Sequence, residues 1–311
     1  MSEFIGFSKI INTFTKRAQD NKLSHAHLIV GPEGIGKSIM AKIFACKILN
    51  KPTNKDYVDI INYRPKKSSI GIDEVRNIIV EVAKKPFECD RKVIIIHNGE
   101  KLTIQAQNAM LKTVEEPPKG VYIIILTESL QSILETIKSR CQVYKLTPLT
   151  NDEMIEFINF NLPNNNEDER KLALSYSNGI PGRALDVINN EQTKKLRNIL
   201  VELIIDLQED RSSIVLKYED KLNEFKDTKE EMLNIIISLV RDILIYRETR
   251  HEDKIINIDK LESIVKLSEQ LSYSHLISIL NYVEKTRINF KNNANYSMAI
   301  DVMLMGFMEG K

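Results

Sequence analysis

An α/β fold with a parallel sheet, continued by all-helical domains, is predicted by three observations. Short apolar runs alternate with helix-spaced segments through the first half of the chain, as in a sheet whose strands are joined by crossover helices. A glycine-rich loop, "GPEGIGKS" at 31–38, separates one such run from the helical pattern after it. Beyond about residue 150 convincing strands stop and helical spacing takes over.

The elements follow in order. "AHLIV" (26–30) is a strand feeding the loop, and "SIMAKIFACKIL" (38–49) is the helix that leaves it. "YVDII" (57–61) is a second strand. Residues 73–85 put Val75, Ile78, Ile79 and Val82 on one helical face, with Asp73 placed to cap it. "VIII" (93–96) is a third strand. Residues 104–116 form a helix stopped by Pro117-Pro118, because proline bars the residue before it from helical geometry. "VYIIIL" (121–126) and "QVYKL" (142–146) complete a five-stranded sheet, and strands this apolar fit a sheet covered on both faces.

After "TPLT" (147–150) come a polar loop, "NLPNNNEDER", a short helix and "SNGIPGRAL". From about 192 the chain is helical. Residues 228–247 open with Thr228-x-x-Glu231, a capping box, and carry Met232, Ile235, Ile236, Leu239, Ile243 and Leu244 on one stripe. Two more amphipathic helices span 273–291 and 295–309. Three domains are expected: an α/β core over 1–148, a small helical domain over 149–206, and a helical bundle over 207–311.

Bulk properties narrow the function classes. The 311 residues are 42% apolar and 28% charged, a globular composition with ample core. A net charge of +1 neither requires nor excludes nucleic acid, so any basic surface must be local. The runs "RPKKS" (64–68) and "ECDRKV" (88–93) are expected to be solvated loops, with contact to a DNA backbone as the alternative. Cys46, Cys89 and Cys141 are far apart and form no metal or disulfide pattern, which suits a reducing cytosol. "MSEFIGFSKI" is not a secretory signal, and the longest apolar runs are strand-length and too short to span a membrane. A cytoplasmic protein is expected.

The loop at 31–38 fits G-x-x-x-x-G-K-[ST] between a strand and a helix, the context of a phosphate-binding loop. Gly31, Gly34 and Gly36 let backbone N–H groups curl around phosphate oxygens at a helix N-terminus. Lys37 would reach the outer phosphates and Ser38 would hold magnesium. The alternative is a retained loop that binds nothing in the native assembly. Glu115 and Glu116 do not form an acid/base pair, since adjacent residues on a helix diverge by about 100°.

Further motifs carry a family resemblance. Asn108-Ala-Met-Leu-Lys112, Glu115-Glu-Pro-Pro118 and Ser139-Arg140-Cys141 resemble the clamp-loader branch of the AAA+ ATPases, and the likeness extends through "PLTNDEM", "NGIPGRAL", "LVRDILIY" and "NYSMAIDVML". The resemblance implies an AAA+ P-loop NTPase core, a helical lid and an all-α C-terminal collar that joins an oligomer. It implies that Arg140 is an arginine finger aimed at ATP on a neighbouring subunit, against the plainer reading of a surface arginine paired with a local carboxylate. Thr127 falls at the sensor-1 place, where a strand-end hydroxyl is as often a turn former. Arg183 falls at the sensor-2 place, against a structural arginine at a helix start.

Departures from the family pattern sharpen the expectation. Motor subunits carry an acidic pair (Walker B) at the end of the third strand, where this chain has His97 and Asn98. Without that carboxylate the hold on magnesium and the polarisation of the attacking water both weaken. Glu100, three residues on, is expected to be a helix-start charge, and a lone His97 is expected to be structural. The family's four-cysteine zinc module is reduced to Cys46, so no zinc is expected. The resemblance thus implies a stator-like subunit with no intrinsic ATPase, binding ATP and magnesium without turnover at most. It would work in a hetero-pentamer with motor and wrench subunits, loading a sliding clamp on primer-template DNA, away from any membrane. A motor subunit that hydrolyses its own ATP, or a helicase-loading AAA+ protein, is the alternative.

Overall fold

A computed structural model describes residues 5–65, 67–207 and 211–309. Lys66 of the first basic run, the chain ends, and residues 208–210 in the expected third domain lie outside the described residues. The chain forms two compact units, Met1–Phe160 with Gly179–Gly182, and Asn161–Asn178 with Arg183–Lys311. The segment 149–206 is therefore shared between them.

The first unit is built on β1 (Ala26–Val30), β2 (Ile60–Tyr63), β3 (Lys92–Ile96), β4 (Val121–Thr127) and β5 (Gln142–Lys145). All pairings are parallel, in the order β2-β3-β4-β1-β5. Every residue of β1, β3 and β4 is buried, as the β-branched runs require of strands covered on both faces. The covering helices are α1 (Ser8–Gln19), α2 (Lys37–Leu49), α3 (Ile72–Ala83), α4 (Ile104–Glu115) and the single-turn α5 (Glu135–Lys138). Helix α1 is one that apolar spacing does not announce, because Phe14 is its only buried residue; that ring stacks on Phe44 at 3.7 Å between centroids. Val75, Ile78 and Val82 of α3, with Ala106, Met110 and Val114 of α4, close over Ile94, Ile96, Ile123 and Ile125. Cutting one of these isoleucines to alanine would cost about 2–5 kcal/mol.

Register sets the working end of this sheet. Val30 lies opposite Thr127 on one side and Lys145 on the other, so the loop after β1 leaves between the ends of β4 and β5. Its first amide, Gly31 N–H, donates to the Thr127 carbonyl at 3.2 Å.

Several expected details shift, each for a tertiary reason. The second strand begins at Ile60 and not Tyr57, because Ile60 N–H closes a turn on the Tyr57 carbonyl (3.0 Å). The Asp59 carboxylate there accepts from Phe87, Glu88 and Cys89 N–H at 2.6, 2.8 and 2.8 Å. Those bonds hold its acid low, although burial pushes the other way as the largest single influence. Helix α3 is capped from Glu74, whose carboxylate accepts from Gly71 N–H (3.1 Å), while Asp73 pairs with Arg76. The basic residues of "ECDRKV" are buried or half-buried and carry protein partners. Lys92 is buried against Glu81 at 2.9 Å, and Arg91 donates to Ile48 O and Asn21 Oδ1.

Chain order continues with α6 (Asn151–Asn161), α7 (Glu167–Ser177), α8 (Pro181–Asn189), α9 (Glu191–Asp206), α10 (Arg211–Asn223), α11 (Lys229–Thr249), α12 (Leu261–Gln270), α13 (Tyr273–Lys291) and α14 (Tyr296–Glu309). The second unit packs Leu196 and Leu200 of α9, Ile236 and Ile243 of α11, Ile279 and Val283 of α13, and Ile300 and Leu304 of α14 into one core. The Thr228–Glu231 capping box does not form. Thr228 Oγ1 donates to Phe225 O in the turn before the helix, and Glu231 accepts instead from Thr193 Oγ1 at 2.8 Å. A buried polar network joins Arg197, Asn257 and Asp242: Arg197 Nη2 donates to Asn257 Oδ1 at 3.1 Å, and Asn257 donates to Asp242 Oδ2 from its N–H at 2.7 Å and its amide at 2.8 Å.

Candidate functional site

The phosphate loop has the backbone its glycines allow. Gly34 and Gly36 hold φ of +80° and +102°, which side-chain-bearing residues rarely adopt. Gly36 is the residue before α2, so the first amides of that helix face the loop. Gly182 packs on the loop from outside it. Its N–H donates to Gly34 O at 2.9 Å, and a Cβ there would stand 2.7 Å from Gly34 Cα. Lys37 Nζ donates to Gly31 O (2.7 Å) and Pro32 O (3.0 Å), folding the lysine over its own loop. Burial lowers its amine below the ordinary lysine range, opposed by Glu128, Glu100 and Glu33.

The end of β3 answers to the loop without a carboxylate. His97 is buried, and its Nε2 lies 2.9 Å from Asn62 Oδ1, its Nδ1 3.5 Å from Ser38 Oγ. An acceptor at Nε2 assigns the proton there, so Nδ1 takes the Ser38 hydroxyl hydrogen. Burial first, and then Arg64, lower the ring to about 4, so it is neutral at pH 7. Asn98 turns the chain away in a left-handed conformation (φ +53°) and donates to Glu100 Oε1 at 3.1 Å.

Phosphate fits this cradle; magnesium fits it poorly. The donor chemistry at the strand end is a neutral imidazole and an amide, while a hard dication prefers carboxylate oxygens. Among the described residues no group of three or more His, Cys, Asp or Glu stands ready to hold a metal. Ser38 is the one residue of the expected set that could ligate it.

The remaining expected residues separate. Thr127 is fully buried, and its hydroxyl donates to Ser129 O (3.1 Å) within the turn after β4. The next residue, Glu128, is the strand-end group that acts on Lys37, and its N–H donates to Glu100 Oε2 at 3.1 Å. Sequence reasoning missed Glu128; its place one residue beyond an expected sensor was the available signal. Arg183 belongs to the second unit, where its charge bears on Glu231.

Arg140 stands at the far end of the segment before β5. Its Nη1 donates to Thr136 O (3.0 Å) and its Nη2 to Glu115 Oε1 (3.1 Å), with 36% of the side chain exposed. Cys141 beside it is inert, since burial pushes its thiol up to about 12.

A phosphate loop between the interior strand β1 and helix α2, in an all-parallel sheet of this order, defines a P-loop NTPase core. The comparisons with known proteins narrow the class. The family described as "DNA polymerase III, delta subunit" matches residues 6–150, and "DNA polymerase III, delta subunit, C terminal" matches residues 190–308. The chain belongs to this DNA polymerase III clamp-loader family. It is 24% identical to DNA polymerase III subunit delta' of Bacillus subtilis (strain 168), over 97% of this chain and 96% of that one. It is also 24% identical to DNA polymerase III subunit gamma of Buchnera aphidicola subsp. Schizaphis graminum (strain Sg), over 97% and 93%. A solved structure of a DNA polymerase III gamma subunit-related protein from Thermotoga maritima aligns with a TM-score of 0.48 at 17% identity, covering 96% of this chain and 99% of that one. Overall identity does not separate delta' from gamma, so the distinction falls to the site.

Proposed function

We propose that this chain is a delta'-type, stator-like subunit of a DNA polymerase III clamp loader, assisting ATP hydrolysis on a neighbour without turning over ATP itself. The observation that carries this is the end of β3, where His97 engages Ser38 and Asn62 in place of a strand-end acid. Neither His97 nor Asn98 offers a carboxylate to polarise an attacking water. The phosphate loop remains formed, which supports nucleotide binding for shape, with Lys37 and Ser38 as its anchors.

In this reading the subunit's chemical contribution is Arg140, given in trans to ATP on a motor subunit of the gamma/tau type. A guanidinium there neutralises charge building on the transferring phosphoryl group, worth about 10³–10⁵ in rate. A wrench subunit of the delta type completes the hetero-pentamer, which places a sliding clamp on primer-template DNA in the cytoplasm. The three-domain division into core, lid and collar belongs to the same proposal. Among the described residues no helix is long and apolar enough to cross a membrane.

Mixing the chain with motor and wrench subunits and weighing the product by native mass spectrometry tests assembly; no stable pentamer removes the proposal. Arg140→Ala should leave the pentamer intact and cut DNA-stimulated ATPase and clamp loading. Unchanged rates would sink the finger. Turnover by the isolated chain that collapses with Lys37→Ala would establish a motor instead.

A further inference from the structure

We propose that Glu115 is a positioning residue that presents Arg140 to the partner's nucleotide. This rests on the reading of Arg140 as a finger and adds a residue which that reading does not contain. Arg140 follows α5, a helix of four residues, and a long side chain on so short an element needs support from elsewhere. It receives it from two acceptors: the Thr136 carbonyl at 3.0 Å on Nη1 and the Glu115 carboxylate at 3.1 Å on Nη2. A guanidinium has five N–H donors, so one bond from each terminal nitrogen fixes its plane and leaves donors for an anion. A two-pronged pairing with the carboxylate would have used that edge up. The single contact supports the arginine without consuming it.

The place of Glu115 supports a role beyond solvation. It is the last residue of α4, where the negative end of the helix disfavours a carboxylate. Glu116 then leaves helical geometry (φ −132°, ψ 69°) ahead of the two prolines. The elements carrying the pair are tied together by Gln107, whose amide donates to Leu102 O (3.1 Å) and Ser132 O (2.8 Å) and accepts from Leu134 N–H (2.8 Å). Val114, beside Glu115, and Ile137, whose carbonyl accepts from Arg140 N–H, are buried in the core of the unit. Glu115 and Arg140 therefore meet because rigid elements bring them together. Holding the guanidinium in advance reduces the rotamer freedom it loses on meeting phosphate. A half-exposed pair contributes little to folding, so its loss should appear in rate.

The test uses the reconstituted pentamer with primed DNA and clamp. Glu115→Gln keeps the shape and removes the charge. It should lower kcat of DNA-stimulated ATPase about tenfold, as expected for lost pre-organisation, with KM for ATP within about twofold. Glu115→Asp should recover part of the rate. On an Arg140→Ala background Glu115→Gln should do nothing more, and circular-dichroism melts should show both variants folded. An unchanged or faster kcat in Glu115→Gln, or an equal loss on the Arg140→Ala background, overturns the role. A silent Arg140→Ala removes the finger reading itself, whereas an impaired Arg140→Ala beside a silent Glu115→Gln removes Glu115 alone.

Discussion

The phosphate loop and the Arg140 corner lie in the same α/β unit and treat their charged groups in opposite ways. At the loop, the groups are turned inward: Lys37 bonds to its own loop carbonyls, and Ser38 faces a neutral His97. At the corner, a guanidinium is held at the surface by two acceptors with a third of its side chain open to solvent. One region keeps a phosphate loop beside a strand end that carries no acid; the other holds a charge at the surface. On the proposed reading, the contrast teaches that the parts of a shared catalytic site can be divided within a single unit.

The largest expected effect comes from removing the outward charge. Arg140→Ala should slow turnover at the site it serves by about 10³-fold, roughly 4 kcal/mol, read as DNA-stimulated ATPase of the pentamer.

Acid should undo the inward side first. His27, fully buried near the start of β1 among Phe14, Phe44 and Tyr144, is lowered from 6.5 to about 4, by burial foremost, and its Nε2 has no hydrogen-bond partner among the described residues. The unfolded chain therefore binds this proton between about pH 6.5 and 4 while the folded chain does not. Stability is full above 6.5 and falls as pH drops toward 4, by about 3 kcal/mol at one pKa unit per 1.4 kcal/mol. Urea melts at pH 7, 5.5 and 4.5 should show the loss, and His27→Leu should reduce it, leaving the share that His97 contributes in the same window; parallel curves for the two proteins would reject the assignment.

Gly182→Ala should cost about 1–3 kcal/mol, since the new methyl meets backbone at 2.7 Å. A thermal melt indistinguishable from wild type would show that the close approach relaxes freely. The smallest effect on the assembly is expected from Lys37→Ala. Nucleotide affinity of the isolated chain should fall about tenfold or more, a loss of roughly 1.4 kcal/mol. Pentamer ATPase should fall far less than with Arg140→Ala, and a comparable fall would erase the contrast between the two regions.

Much of the sheet was legible because its signal is local. Val93–Ile96 and Val121–Leu126 are apolar runs whose burial follows from composition alone, and both lie within the observed strands. The phosphate loop was legible for the same reason, as glycines and lysine at fixed spacing. What escaped depends on partners distant in sequence. Glu231 caps nothing locally because Thr193, 38 residues away, takes its carboxylate. Lys92 looked solvated because nothing in "ECDRKV" discloses Glu81 on the neighbouring helix. Glu115 beside Glu116 suggests an unworkable acid pair, whereas its partner lies 25 residues on, in Arg140. A carboxylate at the wrong end of a helix, just before two prolines, was the available clue.

The left-handed turn at Asn98 bears on reversibility. Asparagine tolerates φ of +53° better than most residues, and it spends its amide on Glu100. A glutamate there would strain the backbone by about 1–2 kcal/mol and set a second negative charge against Glu100. Restoring the acidic pair would thus take a new turn as well as new side chains. On the proposed reading, the turn around Asn98 therefore acts as a lock: an acid introduced there would need the backbone rebuilt before it could serve turnover.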